Sequence, residues 1–247
     1  MFRLGTRHIA EGTDHLLFLL ALILPAPLVV TNGRWGGYAG GKMALRRILK
    51  VVTAFTLGHS VTLLFGTMGW ARLPGSVVES AIALSILVSA AHALFPIFVG
   101  REVFIAGGFG LVHGLAFAAT LTDFGFDSLT MFSAVLGFNL GIEAVQVVVI
   151  LAAMPWLVLL ARSRVYGPFR IAGAALTGIA AIAWFAERAF GWVNPVVPVV
   201  EIVAAHALWL LTGVVVLAVA ATMAGNEMKL RRQSHAIRCT GESDTAP

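Results

Sequence analysis

Charge is scarce in this sequence. Asp, Glu, Lys and Arg make up 12% of its 247 residues, against about 25% in a soluble domain. So few charges exclude a water-solvated globular protein. Cysteine is nearly absent. The single Cys239 lies in a polar tail, which excludes an intramolecular disulfide and a metal cage built on cysteine. Any metal site must use His, Asp, Glu and neutral oxygens. Acid is missing from the first long loop, which holds Arg34, Lys42, Arg46, Arg47 and Lys50. What is abundant is apolar: 59% of the residues are hydrophobic and the mean hydropathy is +0.91. The net charge of +5 and the isoelectric point near 10.1 do not signal nucleic acid. The basic residues sit in short loops between apolar runs, where membrane topology places them.

A membrane-spanning helix needs roughly 20 apolar residues. Seven segments meet that length, at about 8–30, 45–66, 77–99, 103–122, 129–154, 168–188 and 200–224. The expected fold is all-α, a polytopic transmembrane bundle over residues 1–225. Residues 226–247 form a polar cytoplasmic tail with too little apolar surface to order itself. The basic loop after the first segment should stay cytoplasmic, which argues against a cleaved signal peptide. Arg101, then Arg162, Arg164 and Arg170, then Lys229, Arg231, Arg232 and Arg238 fall on the same side. This alternation expects the N-terminus outside and the C-terminus in the cytoplasm.

The first segment carries His8, Glu11, Asp14 and His15 at its leading end. On one continuous helix, His8 and His15 share a face, with Glu11 between them and Asp14 bordering the stripe. Imidazole with carboxylate is a ligand set for a divalent transition metal. An ionisable group at the bilayer centre costs about 3 kcal/mol on the insertion scale, so it marks function by default. The bland alternative is an interfacial N-terminus with polar groups in headgroup water.

Other spans carry matching groups. His59, followed by Ser60, and His113 lie in two spans of the same direction, at depths compatible with His15. A lone membrane histidine is often satisfied by a neighbouring carbonyl or hydroxyl. Three histidines at one depth, beside Asp14, point to a shared site. Gly110 and Gly114 flank His113 and form a small-residue face for close helix approach. In the third span, Glu79 opens the helix, and Ser85, Ser89 and His92 share a face that could extend a polar path. In the fifth, Asn139, Glu143 and Gln146 share another. A carboxylate deep in an apolar helix should face the bundle interior. The sixth span is scaffold packed through Gly173 and Gly178. Glu201 and His206 in the seventh are five apart and do not share a face well. Phe55-x-x-x-His59 and Phe109-x-x-x-His113 form a short internal echo, as in duplicated transporters.

His8-x5-Asp14-His15 resembles the HupE/UreJ family of bacterial membrane proteins, and is similar to the His-x4-Asp-His signature of nickel/cobalt permeases. Leu57-Gly-His59-Ser60 resembles the second permease signature. Phe109-Gly-Leu-Val-His113-Gly and Phe138-Asn-Leu-Gly-Ile-Glu143-x-x-Gln146 resemble later blocks of the second HupE/UreJ subgroup. The likeness covers about residues 1–155. It implies a secondary transporter of Ni²⁺ or Co²⁺ in the inner membrane, associated with hydrogenase and urease maturation. It places metal contact on His8, Asp14, His15 and His59. The x5 spacing and seven spans depart from the permeases, which have x4 and usually eight.

The expected activity is transport of a divalent metal. His8, Asp14 and His15 form an outer site, with Glu11 at its mouth and His59 and His113 completing coordination. Ser60, Glu79, His92, Asn139, Glu143 and Gln146 line the path onward. Metal binding should weaken below about pH 6.5, where histidine takes its proton. The alternative is an intramembrane hydrolase that holds Zn²⁺ on the same His/Asp cluster and activates water, assisted by Ser60 or Glu79. A sensor or partner-binding subunit is a third reading. The expected partners are the bilayer and the metal ion, with a homo-oligomer left open.

Overall fold

The computed structural model describes the backbone of residues 1–69, 73–122, 128–193 and 196–243; side chains are described there except at 118–122, 128, 197, 201, 204 and 226–243. The elements in order are α1 (Phe2–Glu11), α2 (Thr13–Ile23), β1 (Leu28–Thr31), β2 (Arg34–Tyr38), α3 (Gly41–Thr67), α4 (Gly75–Leu94), α5 (Glu102–Thr122), α6 (Ser128–Leu160), α7 (Tyr166–Phe190), α8 (Val196–Ala205) and α9 (Ala207–Ser243). Helix dominates because hydrocarbon offers backbone amides no other partner. Among the described residues, five stretches are long and apolar enough to cross a membrane: Gly41–Thr67, Gly75–Leu94, Leu129–Leu160, Tyr166–Phe190 and Ala207–Gly225. The apolar segments expected at 8–30 and 103–122 contain the shorter helices Thr13–Ile23 and Glu102–Phe117.

The expected single helix over 8–30 is corrected. Gly12 adopts an extended conformation (φ −77°, ψ 96°) between α1 and α2. A Cβ there would stand 2.6 Å from the His8 carbonyl oxygen and 3.0 Å from the His15 ring, so the break needs glycine. Beyond α2, Pro25 and Pro27 offer no amide hydrogen to continue the helix. The chain then forms an antiparallel hairpin of β1 and β2. Its two-residue turn is Asn32-Gly33, both at positive φ, the combination that matches the twist of paired strands.

Glycine also sets the helix packing. A Cβ on Gly58 would overlap the Gly107 carbonyl, one on Gly110 the Phe55 carbonyl, and one on Gly114 the His59 carbonyl. Residue numbers rise together along this seam, so α3 and α5 run parallel and in close contact. The small-residue face expected at Gly110 and Gly114 is present, and α3 fills it. α6 runs antiparallel to α3: Gly41 lies by Val158, while Leu63 packs with Met131 and Val135. α1 crosses α6 with Gly5 against the Phe138 carbonyl and Gly141 against the Phe2 carbonyl. α4 and α7 are also antiparallel, with Glu79 near Arg188 at one end and Arg170 donating to the Ala93 carbonyl at the other. α2 sits in the middle. Its Phe18 packs among Val51 and Phe55 of α3, Ile82 and Ile86 of α4, Ala106 of α5 and Ala181 of α7.

Candidate metal centre

Four histidines from four helices meet at the upper end of α2. The α1–α2 break supplies two of them. On a straight helix, residues seven apart lie about 10.5 Å apart along the axis. Across the Gly12 break, the His8 and His15 ring centroids are 4.7 Å apart. The stripe expected on one helix is therefore formed between two. α3 adds His59, whose ring centroid is 6.2 Å from that of His8. α5 adds His113, 5.2 Å from His15. One ligand nitrogen from each of His8, His15 and His59 lies within 4.8 Å of the other two.

Hydrogen bonds fix which ring nitrogens face inward. Asp14 Oδ1 accepts from the His15 backbone amide at 2.9 Å and also lies 2.9 Å from His15 Nδ1. A carboxylate only accepts, so Nδ1 carries the proton and Nε2 keeps its lone pair. His59 repeats the arrangement, with Nδ1 3.0 Å from Asn139 Oδ1. The Asn139 amide nitrogen donates to the Val135 carbonyl at 2.9 Å, which turns its oxygen toward His59. At His113 the nitrogens exchange roles. The Ser85 hydroxyl donates to the Ile82 carbonyl at 2.7 Å, so its oxygen accepts from His113 Nε2, 2.9 Å away. His113 Nδ1 is left with the lone pair.

The result is a nest of buried nitrogens without hydrogen-bond partners: Nε2 of His8, His15 and His59, and Nδ1 of His113. An unpaired buried polar atom costs about 1–3 kcal/mol. His8, His15 and His59 each offer a nitrogen within 4.8 Å of the other two, an arrangement that a bound cation relieves. Aromatic rings close the surroundings. Phe117 and Phe138 lie 4.6 and 5.4 Å from His8, and Phe18 and Phe55 lie 5.3 and 5.0 Å from His113.

The remaining expected residues are spread more widely. Asn139 reaches the nest through His59. Asp14 orients His15. Glu11 turns outward and pairs with Arg7 at 2.8 Å, both side chains exposed. Ser60 donates to the Thr56 carbonyl at 2.7 Å. Glu79 is 55% exposed and faces Arg188 at 3.7 Å. Glu143 accepts from Thr53 at 2.7 Å, and Gln146 from Thr56 at 3.2 Å, so these two continue the α3–α6 seam away from the nest. Ser85 touches His113, and Ser89 donates to the Ser85 carbonyl. His206 is exposed with Nδ1 by the Ile202 carbonyl; the Glu201 side chain lies outside the described residues.

A second polar group went unanticipated. Arg47 of α3 donates to Glu102 at the start of α5, and His92 Nε2 lies 4.0 Å from the same carboxylate oxygen. In the sequence Glu102 stands beside Arg101 before an apolar run and resembles an ordinary loop charge. Only the burial of its side chain, 12% exposed, separates it from one.

The family described as HupE / UreJ protein matches residues 1–188, which include every residue of the nest. Among curated proteins and among solved structures, nothing matches.

Proposed function

The chain belongs to the HupE/UreJ family, and on that premise we propose that it carries a divalent transition-metal ion, Ni²⁺ or Co²⁺, across the bacterial inner membrane. Its apolar helices fit a membrane metal transporter. In this reading the seven apolar segments all cross, with the N-terminus outside. The observation that carries the proposal is the convergence of His8, His15 and His59, each offering a nitrogen within 4.8 Å of the other two, with Nε2 of all three buried and partnerless.

The chemistry follows from the ligands. Neutral imidazole binds a borderline metal through its lone pair. The hydrogen bonds that His15, His59 and His113 donate to Asp14, Asn139 and Ser85 hold those three rings in one tautomer, as outer partners of metal-binding histidines do. Asp14 acts through His15 and, among the described residues, supplies the negative charge beside the nest. A site of neutral ligands with a single outer carboxylate holds a dication less firmly than a cage of carboxylates and thiolates, which suits an ion that must leave again. Metal–nitrogen bonds of about 2.1 Å place two ligand nitrogens at most about 4.2 Å apart. The nitrogens of His8, His15 and His59 lie within 4.8 Å of one another, so any pair beyond the bonded limit must close when the ion enters. The short α1, joined to α2 through Gly12, is the element suited to that movement.

Direct binding tests this. Purified protein should bind Co²⁺, and His59→Ala should weaken binding at least tenfold, read from the visible Co²⁺ absorption during titration. Equal affinity in the two proteins would remove the nest from the mechanism. The hydrolase alternative asks for Ser60 or Glu79 beside the metal. Ser60 is bonded to the Thr56 carbonyl and Glu79 lies with Arg188, so neither supports it.

A further inference from the structure

The lower end of α2 stops over a small cavity, on the far side of Phe18 from the nest. Leu22 and Pro25 from that end, with Ile48 and Val51 of α3, give the cavity apolar walls; Arg47, His92 and Glu102 supply polar ones. Its volume is about 20 Å³, room for about one water, so nothing larger passes through it in this form. Trp35 of β2 covers two of the polar walls. Its ring lies 5.6 Å from the Arg47 guanidinium and 5.3 Å, in a T-shaped contact, from the His92 ring. Its Nε1 donates to the His92 carbonyl at 2.9 Å.

The socket that receives the indole is firmly held. Phe98 stacks on the His92 ring at 3.7 Å, and His92 Nδ1 accepts from the backbone amides of Ile97 and Phe98 at 3.1 and 3.3 Å. Arg47 donates to the Glu102 carboxylate, and to the Leu28 carbonyl at 3.3 Å. The hairpin that carries Trp35 is held only at its base. There Leu28 pairs with Tyr38 and is buried in the core. Past Leu28 the strands leave the core: Val29, Thr31, Asn32, Gly33 and Arg34 are exposed. The register shifts between the Leu28 and Val30 pairs, opposite Gly36 and Gly37. Open space surrounds the position a Cβ on Gly37 would take. A bulge bends a strand pair locally, and glycine lets the backbone turn. The tip can therefore pivot on a fixed base, and Trp35 is the large side chain it carries into the bundle.

We propose that Trp35 is a lid on the inner cavity: the hairpin tip lifts it out of the Arg47–His92 socket and sets it back, opening and closing the inner end of the route from the nest. The proposal rests on the transport reading for the route alone; the lid and its socket stand on the contacts above. One hydrogen bond and one cation–π contact hold the indole, each worth roughly tenfold in the balance of closed to open. Attachments of that strength keep the lid shut and still let it lift. Arg47 and His92 keep their other partners when the indole leaves, so the socket persists for its return.

Thiol labelling of the purified full-length protein tests the lid without metal. In a Cys239→Ser background, Val51→Cys puts a thiol on the cavity wall. Ala83→Cys puts one in fully buried packing elsewhere. A small charged methanethiosulfonate should label position 51 slowly while Trp35 is in place. Trp35→Ala should raise that rate at least tenfold and leave position 83 protected. Unchanged labelling at position 51, or an equal rise at position 83, overturns the lid. Should Trp35→Ala fail to insert, Trp35→Phe gives the decision, since it keeps a ring over Arg47 and gives up the hydrogen bond to His92. A rise at position 51 alone supports the lid, and no rise overturns it. Failure of the transport reading shows differently: His15→Ala would leave Co²⁺ binding unchanged, whatever the labelling at position 51.

Discussion

Asp14 acts on His15 twice, through the backbone amide and through Nδ1, both at 2.9 Å. The first contact fixes the start of α2 and the second fixes the tautomer. Asp14→Asn keeps an oxygen in place but removes the charge that makes the imidazole a stronger base. Outer partners of this kind are worth about 10–100-fold in metal affinity. Asp14→Asn should therefore lower Co²⁺ affinity within that range while leaving helical content unchanged; unaltered affinity would assign Asp14 a capping role alone. At this scale much was legible. His15, His59, His113 and Asn139 stand out because polar groups inside apolar spans are costly. Arg47 and Glu102 did not, since charges at the ends of apolar runs resemble loop residues until burial is known. Glu11 and Glu79 illustrate the opposite case: both have the chemistry of ligands, and both are turned to the outside.

Among the elements, the α3–α5 seam does most to position the nest. Gly110 and Gly114 bring α5 directly against the backbone of His59, at its amide nitrogen and its carbonyl. A side chain at Gly110 would meet the Phe55 carbonyl, which no rotamer change relieves. Gly110→Val should thus lower stability by about 1–3 kcal/mol, as overpacking does, and weaken metal binding with it. Thermal unfolding in detergent, followed by a Co²⁺ titration of the same sample, checks both; a stable protein with native affinity would show that the seam tolerates separation. The seam was visible in the glycine spacing. The α1–α2 break was not, because a lone glycine in an apolar run is compatible with helix. Periodicity alone then placed His8 and His15 on one stripe. The hairpin did have a local signal in Asn32-Gly33 between short apolar stretches, but an apolar run beginning at His8 masked it. Glu143 and Gln146 share a face of α6 with Asn139, as their spacing predicts, yet only Asn139 reaches the nest. Periodicity gives a face and not the depth at which a neighbour ends.

At the scale of the whole molecule, two polar centres lie along α2, separated by Phe18 and its apolar neighbours. The Phe18 and Phe55 ring centroids are 4.9 Å apart in that packing. On the transport reading, an ion passing from one centre toward the other would have to cross this apolar packing. The apolar character of the outer helix faces was legible from composition, as in the exposed Leu208 and Trp209 of α9. The order of the polar centres along α2 was not, because it arises from contacts between helices far apart in sequence. Uptake of Ni²⁺ into proteoliposomes, comparing the native protein with His15→Ala at equal insertion, tests transport through the nest most directly. Accumulation by the native protein and its loss in His15→Ala is the predicted result. Equal accumulation by both, or none by a native protein that binds the metal, would contradict it.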